Sequence, residues 1–213
     1  MKQDHTSPCG EGEARRLKSV CVYCGTGEGG DPAYMAAAEE LGRMLAAEGI
    51  GLVYGGGSLG LMGAVARSAL DAGGHVTGVI PAFLEEREVM MQSVSELVVT
   101  KDMHERKRTM FERADGFVAL PGGIGTLEEV VEMLTWGQLG QHCKPVVLAD
   151  IGGFWRPLVD LLAHMRSEGF IRSGFEVDYR VATSVGDILP ALRRPAATDE
   201  EASEAGVADL EQL

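Results

Sequence analysis

The chain has 213 residues, 45% of them hydrophobic and 24% charged, with 29 glycines and only 6% aromatics. That is the composition of a globular protein with one sizeable core. A formal net charge of −13 argues against non-specific binding to nucleic acid or to an anionic membrane surface, and no uncharged apolar run approaches the ~18 residues of a membrane span.

Residues 1–17 read as a flexible arm. Their opening, MKQDHTSPCGEGEARR, lacks the apolar stretch of a signal peptide, so a cytoplasmic protein is expected. Residues 18–194 are expected to form one domain. Ser19 to Cys24 is the first strand, and a glycine-rich loop follows at Gly25 to Gly30. Asp31 then caps a helix that has Pro32 at its first position and Gly49 just past its end. Ile50 to Tyr54 is the second strand. The loop Gly55-Gly56-Gly57-Ser58-Leu59-Gly60 opens a helix that ends near Gly73-Gly74. His75 to Ile80 is the third strand, closed by Pro81. Residues 82–93 carry Glu85, Glu86, Arg87, Glu88, Met90 and Met91 and read as an irregular or short helical excursion.

Leu97 to Thr100 is a short strand. A helix starting at Thr100 or Asp102 runs through Arg113. The apolar run Phe117 to Leu120 is the central strand. Thr126 is expected to open the next helix, running from Leu127. Pro145 to Ala149 and Val181 to Ser184 are further strands, and Phe154 to Glu168 and Asp187 to Leu192 further helices. From Pro195 the tail is acidic and weakly apolar, the pattern of a disordered segment. Strands that are apolar on both faces and alternate with helices specify an α/β fold. The expected architecture is a Rossmann-like, doubly wound parallel sheet with helices on both faces, its ligand at the carboxyl ends of the strands.

Four cysteines are present, Cys9, Cys21, Cys24 and Cys143. Cys21 and Cys24 have redox spacing, but Cys21 falls inside a strand, not at a helix N-terminus. No second pair completes a zinc site. Reduced, structural cysteines are expected, with no metal and no cofactor.

The strand, glycine turn and helix at residues 116–129, GFVALPGGIGTLEE, have the geometry that binds phosphate. Glycines admit an anion close to the backbone, and the free N–H groups of the first helical turn point at it. Thr126-x-x-Glu129 also fits a capping box, with Thr126 as N-cap and Glu129 three residues on. Two weaker patterns overlap in the second loop. Gly55-x-Gly57-x-x-Gly60 fits a dinucleotide fingerprint, but it follows the second strand, and the next strand ends in Ile80-Pro81 where a ribose-binding acid is wanted. Gly56-x-Ser58-x-Gly60 fits a nucleophile elbow, with His75, His104, His142 and His164 downstream. The one dense basic cluster is KDMHERKR at 101–108. Arg106 there is either an anion ligand or half of an exposed i,i+4 pair with Asp102.

PGGIGTLEE, with MHERK upstream and YGGGSLGLMG earlier, resembles the LONELY GUY (LOG) family, from about Ser19 to Leu192. These are cytokinin riboside 5′-monophosphate phosphoribohydrolases, long mislabelled as lysine decarboxylases. The resemblance implies a homodimer that hydrolyses the N-glycosidic bond of AMP or an N6-substituted AMP to free base and ribose 5-phosphate. It places Arg106 and Glu129 at catalytic positions. Glu88, Lys107, Gly122, Gly123, Gly125, Thr126, Glu128 and Thr135 fall at substrate-binding positions. The loops at Gly25 and at Gly56, Gly57 and Ser58 are further candidate contacts, although the first loop reads Cys24-Gly25-Thr26-Gly27 where relatives tend to have a serine in place of Gly27. Helix faces around Met133, Trp136 and Leu139 are the expected dimer surface. The rival reading is a binding module that carries a nucleotide or molybdopterin without turning it over.

Overall fold

Seven parallel strands form one sheet in the order β4-β3-β2-β1-β5-β6-β7. They are β1 (Ser19–Tyr23), β2 (Gly51–Tyr54), β3 (Val76–Pro81), β4 (Glu96–Thr100), β5 (Gly116–Ala119), β6 (Val146–Ala149) and β7 (Arg180–Ala182). The helices between them are α1 (Pro32–Ala47), α2 (Gly60–Asp71), α3 (Met103–Arg113), α4 (Ile124–Gln138), α5 (Arg156–Ser167) and α6 (Ile188–Arg193). The computed structural model describes residues 16–84, 90–172 and 175–194. The expected acidic tail and nearly all of the expected arm lie outside these residues; Leu17, assigned to the arm, is buried in the core. Among the described residues no helix is long and apolar enough to cross a membrane.

The expected class holds, for the reason the sequence offers. β1, β2, β3, β5 and β6 are buried almost end to end, as strands sandwiched between helix layers must be. One layer of core joins α1, α2 and α6 to one face of the sheet, through Leu41, Leu45, Val65, Ala69, Ile188 and Leu192. The other joins α3 and α4 to the opposite face, through Met110, Phe117, Val130, Met133 and Leu134. Each such side chain contributes roughly 1.5–3 kcal/mol when fully withdrawn from water.

The strand order reverses between β2 and β5, the two neighbours of β1. At this switch point the loop after β1 meets the turn after β5, the Gly25 amide donating to the Pro121 carbonyl at 3.1 Å. Such a crevice is where open α/β sheets bind ligands.

Three expectations change. The helix after β5 starts at Ile124 with Gly123 as N-cap, so Thr126 is its third residue and Glu129 its sixth. There is no capping box. The extended Gly123 lets the helix begin earlier, which turns Thr126 and Glu129 inward, where both are buried. Met133 and half-buried Trp136 pack into the core, not outward. The exposed stripe of α4 is Ile124, Glu128, Val131, Thr135 and Leu139, one residue every three or four as helical spacing requires. Cys21 and Cys24 are free and buried as expected, whereas Cys143 is disulfide-bonded.

α1 and α2 are the most closely packed helix pair. A Cβ on Gly42 would lie 2.3 Å from the Val65 carbonyl oxygen and 2.9 Å from the Ala69 amide nitrogen, both backbone atoms that cannot swing aside. Gly42→Ala should therefore destabilise the fold by about 1–3 kcal/mol through overpacking, against a helix-propensity gain of up to about 1 kcal/mol. Thermal unfolding should read a drop of several degrees, at about 2–4 °C per kcal/mol for a chain of this size. An unchanged or raised Tm would mean that the helices separate freely.

Candidate active site at the switch point of the sheet

Of the three helices that follow the glycine-rich loops, α1, α2 and α4, the first two have their N-terminal amides engaged by protein groups. In α1 the Asp31 carboxylate accepts from the Ala33 amide at 2.8 Å. In α2 the Leu61 and Met62 amides donate to the carbonyls of Gly27 and Gly25 at 3.3 and 3.2 Å. The loop after β1 thus occupies the donors that a dinucleotide phosphate would need, and the fingerprint reading of residues 55–60 fails on geometry. α4 has no side-chain cap, and its first amides have no carbonyl one turn back to bind.

The turn that leads into α4 is built by close approach. A Cβ on Gly122 would lie 2.2 Å from Thr126 Oγ1 and 2.9 Å from the Gly25 amide nitrogen, so glycine is required there. Gly123 and Gly125 are different. They are exposed, and a Cβ on either would meet nothing within 4 Å. No protein neighbour demands glycine at these two positions.

Arg106 is the largest surprise relative to the basic cluster in which it sits. It is not on a solvated helix face: it is 4% exposed. Asp102 caps α3 through the Glu105 amide at 2.9 Å, and that amide holds the Asp102 carboxyl below its usual range. Of the two readings of Arg106, the exposed i,i+4 pair with Asp102 gives way to a longer reach. Arg106 Nε donates to the Val79 carbonyl at 3.2 Å and a terminal nitrogen to the Gly55 carbonyl at 3.4 Å. Its other terminal nitrogen stands 3.7 Å from Glu129 Oε1. Gly55 makes room for this: a Cβ there would sit 2.3 Å from the guanidinium. Arg106 and Glu129, separated by 23 positions in sequence, thus form a buried ion pair directly behind the open end of α4.

Lys107, the next residue, reaches the same helix. Its ammonium lies 2.7 Å from Glu128 Oε1 and 3.0 Å from Glu132 Oε1. Burial alone would lower its pKa, but the bonds to Glu128 and Glu132 outweigh burial and leave it raised. On the other side of the pair, burial first and the Glu129 carboxylate second push up the thiols of Cys21 and Cys24. Both remain protonated and unreactive at neutral pH.

The remaining candidates divide. Gly25 joins the site through its bond to Pro121. Gly56, with φ +83°, and Gly57 hold the strand of chain at Met90 and Met91, by the Met91 amide on the Gly56 carbonyl at 3.1 Å and a bridge between Gly57 and Met90. Ser58 uses its carbonyl to hold Arg67 at 2.7 Å. No non-glycine residue among those described has positive φ, so Ser58 is not on a strained elbow, and His75 lies at the opposite end of the strands. His142 is half-buried among Phe111 and Phe117. Thr135 is exposed on the outer stripe of α4, its hydroxyl donating to the Val131 carbonyl at 2.7 Å, and lies away from Glu129. Glu88 lies outside the described residues. Sequence reasoning placed Gly55 only in the glycine loop, missing that it makes room for Arg106, and missed Glu132 altogether. The signal for Glu132 was available, since Glu128 and Glu132 are one turn apart and present two carboxylates to one cation.

Comparison with known proteins follows this geometry. A protein-family model described as "Possible lysine decarboxylase" matches residues 62–192. The chain is 43% identical over 193 residues to the "Probable cytokinin riboside 5′-monophosphate phosphoribohydrolase LOG4" of Oryza sativa subsp. japonica, covering 91% of this chain and 84% of that one. It is 52% identical over 161 residues to the "Cytokinin riboside 5′-monophosphate phosphoribohydrolase LOG" of the same plant, covering 75% of this chain and 66% of that one. Among solved structures, the molybdenum cofactor carrier protein of Chlamydomonas reinhardtii superimposes with a TM-score of 0.61 at 26% identity, covering 83% of this chain and 96% of that chain. With its sheet order, its glycine turn and these identities, the chain belongs to the LONELY GUY family of cytokinin riboside 5′-monophosphate phosphoribohydrolases.

Proposed function

We propose that the chain hydrolyses the N-glycosidic bond of adenosine 5′-monophosphate or its N6-substituted derivatives, adding water at the ribose C1′ and releasing free base and ribose 5-phosphate. The observation that carries this reading is the buried Glu129 carboxylate directly behind an uncapped, glycine-lined helix N-terminus. The named activity of the rice relatives points the same way. The phosphate takes the amides of residues 123–126, which replace its hydration shell and add the helix field, worth roughly 0.3–2 kcal/mol. Glu129 faces the sugar. As the bond to the base lengthens, positive charge grows on the ribose ring, and a carboxylate held nearby stabilises it and orients the attacking water.

Arg106 is always charged and cannot serve as a proton donor. Beside Glu129 it favours the ionised carboxylate that this step requires. Lysine decarboxylation, the activity in the family model's description, fits poorly. It needs a lysine amine that condenses with pyridoxal phosphate, and Lys107 is held protonated by two carboxylates. A carrier role is favoured by the likeness to the Chlamydomonas protein; binding of nucleotide with no product from any nucleotide tried would select it.

A homodimer is part of the proposal. Thr135 falls at a substrate-binding position of the family, yet in this chain it stands on the exposed stripe with Ile124, Val131 and Leu139. Pairing of two such stripes would bury the apolar residues and bring one subunit's Thr135 to its partner's site. Sedimentation or light scattering should give twice the 22.7 kDa chain mass; a monomer that turns over AMP would remove Thr135 from the site.

Two substitutions test the chemistry. Glu129→Gln should reduce ribose 5-phosphate release from AMP by about 10²-fold or more while AMP still binds, because what is lost is charge facing the transition state. Its Tm should fall as well, since stripping one partner from a buried ion pair typically costs about 3–5 kcal/mol. Turnover close to that of the wild type would exclude Glu129. Gly123→Ala should change Tm little, a gain of about 0.4–1 kcal/mol from unfolded-state entropy being set against the poorer fit of alanine at an N-cap. It should nevertheless weaken AMP binding at least about tenfold, because the methyl group occupies the place of the phosphate. Equal affinity in the two proteins would put the phosphate elsewhere.

A further inference from the structure

We infer that Glu132 is a positioning residue for this reaction, acting through Lys107. The inference rests on the proposed hydrolysis and concerns how its two central side chains are brought into register. Arg106 comes from α3 and Glu129 from α4. Both helices rest on one apolar cluster against the sheet, and their backbones approach each other at few points. At the site itself, long side chains bridge the gap between them. Arg106 meets Glu129 on one side, and Lys107 meets Glu128 and Glu132 on the next. A single ring contact, Phe111 edge-on to Trp136 at 5.1 Å, joins the helices farther along.

The two carboxylates on Lys107 are not equivalent. The Glu128 side chain is 54% exposed, that of Glu132 only 23%, and that of Lys107 12%. Water screens the first bond and much less so the second. Glu132 is also committed. Its Oε2 is buried with no hydrogen-bond partner, so its charge is balanced through Oε1 and Lys107. A half-desolvated carboxylate of this kind holds its cation tightly, because either one left alone is strongly disfavoured. The Lys107–Glu132 bridge is a latch one residue along α3 and three along α4 from the Arg106–Glu129 pair. It fixes how far Glu129 projects toward the sugar. Lys107 is thereby turned toward protein carboxylates and not toward the phosphate, which departs from the substrate contact that the family resemblance implies.

The test is steady-state hydrolysis of AMP by the full chain and by Glu132→Gln, Lys107→Met and the double variant, with Tm recorded for each. A latch predicts a fall in kcat of about 10²-fold or less, the scale of a misplacement near 1 Å, with KM within about twofold. It predicts that the double variant is no slower than the slower single variant, since both remove one interaction. Glu132→Asp and Lys107→Arg keep both charges and, where the neutral variants do not fold, carry the test; Lys107→Arg should recover most of the lost kcat. A wild-type kcat in Glu132→Gln overturns the role, as does a raised KM with unchanged kcat in Lys107→Met, or losses that multiply in the double variant. A wild-type chain that releases no ribose 5-phosphate overturns the hydrolase reading, and this role with it. The two failures are told apart by the wild-type control alone.

Discussion

A guanidinium buried where three elements meet organises the functional end of this molecule. Arg106 takes the carbonyl of Val79 within β3 and that of Gly55 just past β2, and faces a carboxylate on α4. Withdrawing a charge from water is expensive unless hydrogen bonds and a counter-charge replace the lost hydration. Both are present, and each carries a constraint. The carbonyl of Gly55 is reachable only because residue 55 lacks a side chain. Glu129 must stay in place, because without its carboxylate the arginine is a buried cation without a counter-charge. The carboxylate that stability requires is therefore the same one that the proposed hydrolysis would use.

The second constraint is which helix end remains open. Glycine-rich loops follow β1, β2 and β5, and any of them could cradle an anion by composition. Asp31 closes α1, and the carbonyls of Gly25 and Gly27 close α2. What is left is the start of α4, at the reversal of the strand order. Ordinary dinucleotide-binding sheets use the first strand-to-helix turn for phosphate. Here that turn is spent on holding the second, and in the proposed function the phosphate goes to the fourth helix. The change needs no new fold, only a different distribution of backbone donors and acceptors among three neighbouring turns.

Likeness to a molybdenum cofactor carrier at 26% identity and to rice phosphoribohydrolases at up to 52% is what this arrangement leads one to expect. An open helix end in a parallel sheet suits any phosphate-bearing ligand. Under the proposed function, whether the bound molecule is then cleaved depends on the buried pair of Arg106 and Glu129 behind that helix end.

The sequence by itself determined the parallel sheet, the Asp31 cap and the glycine turn after the central strand, and it narrowed the start of α3 to Thr100 or Asp102, of which the structure uses Asp102. Each follows from local pattern: apolar runs of strand length, a capping residue before a helical stretch, glycines where a chain must bend close to something. It also misled where two local patterns competed, as at Thr126 and Glu129. There a capping box and a buried, inward-facing helical turn share the same spacing, and the extended Gly123 decided between them. Only the tertiary structure decided that Arg106 leaves the solvated face of its helix, that the loop after β1 plugs α2, and that Lys107 is answered by Glu132. These pairings join residues from 25 to 51 positions apart or depend on strand order. Periodicity along the chain says nothing of either, because they are set by which carbonyls and carboxylates the folded sheet brings within reach of one cation.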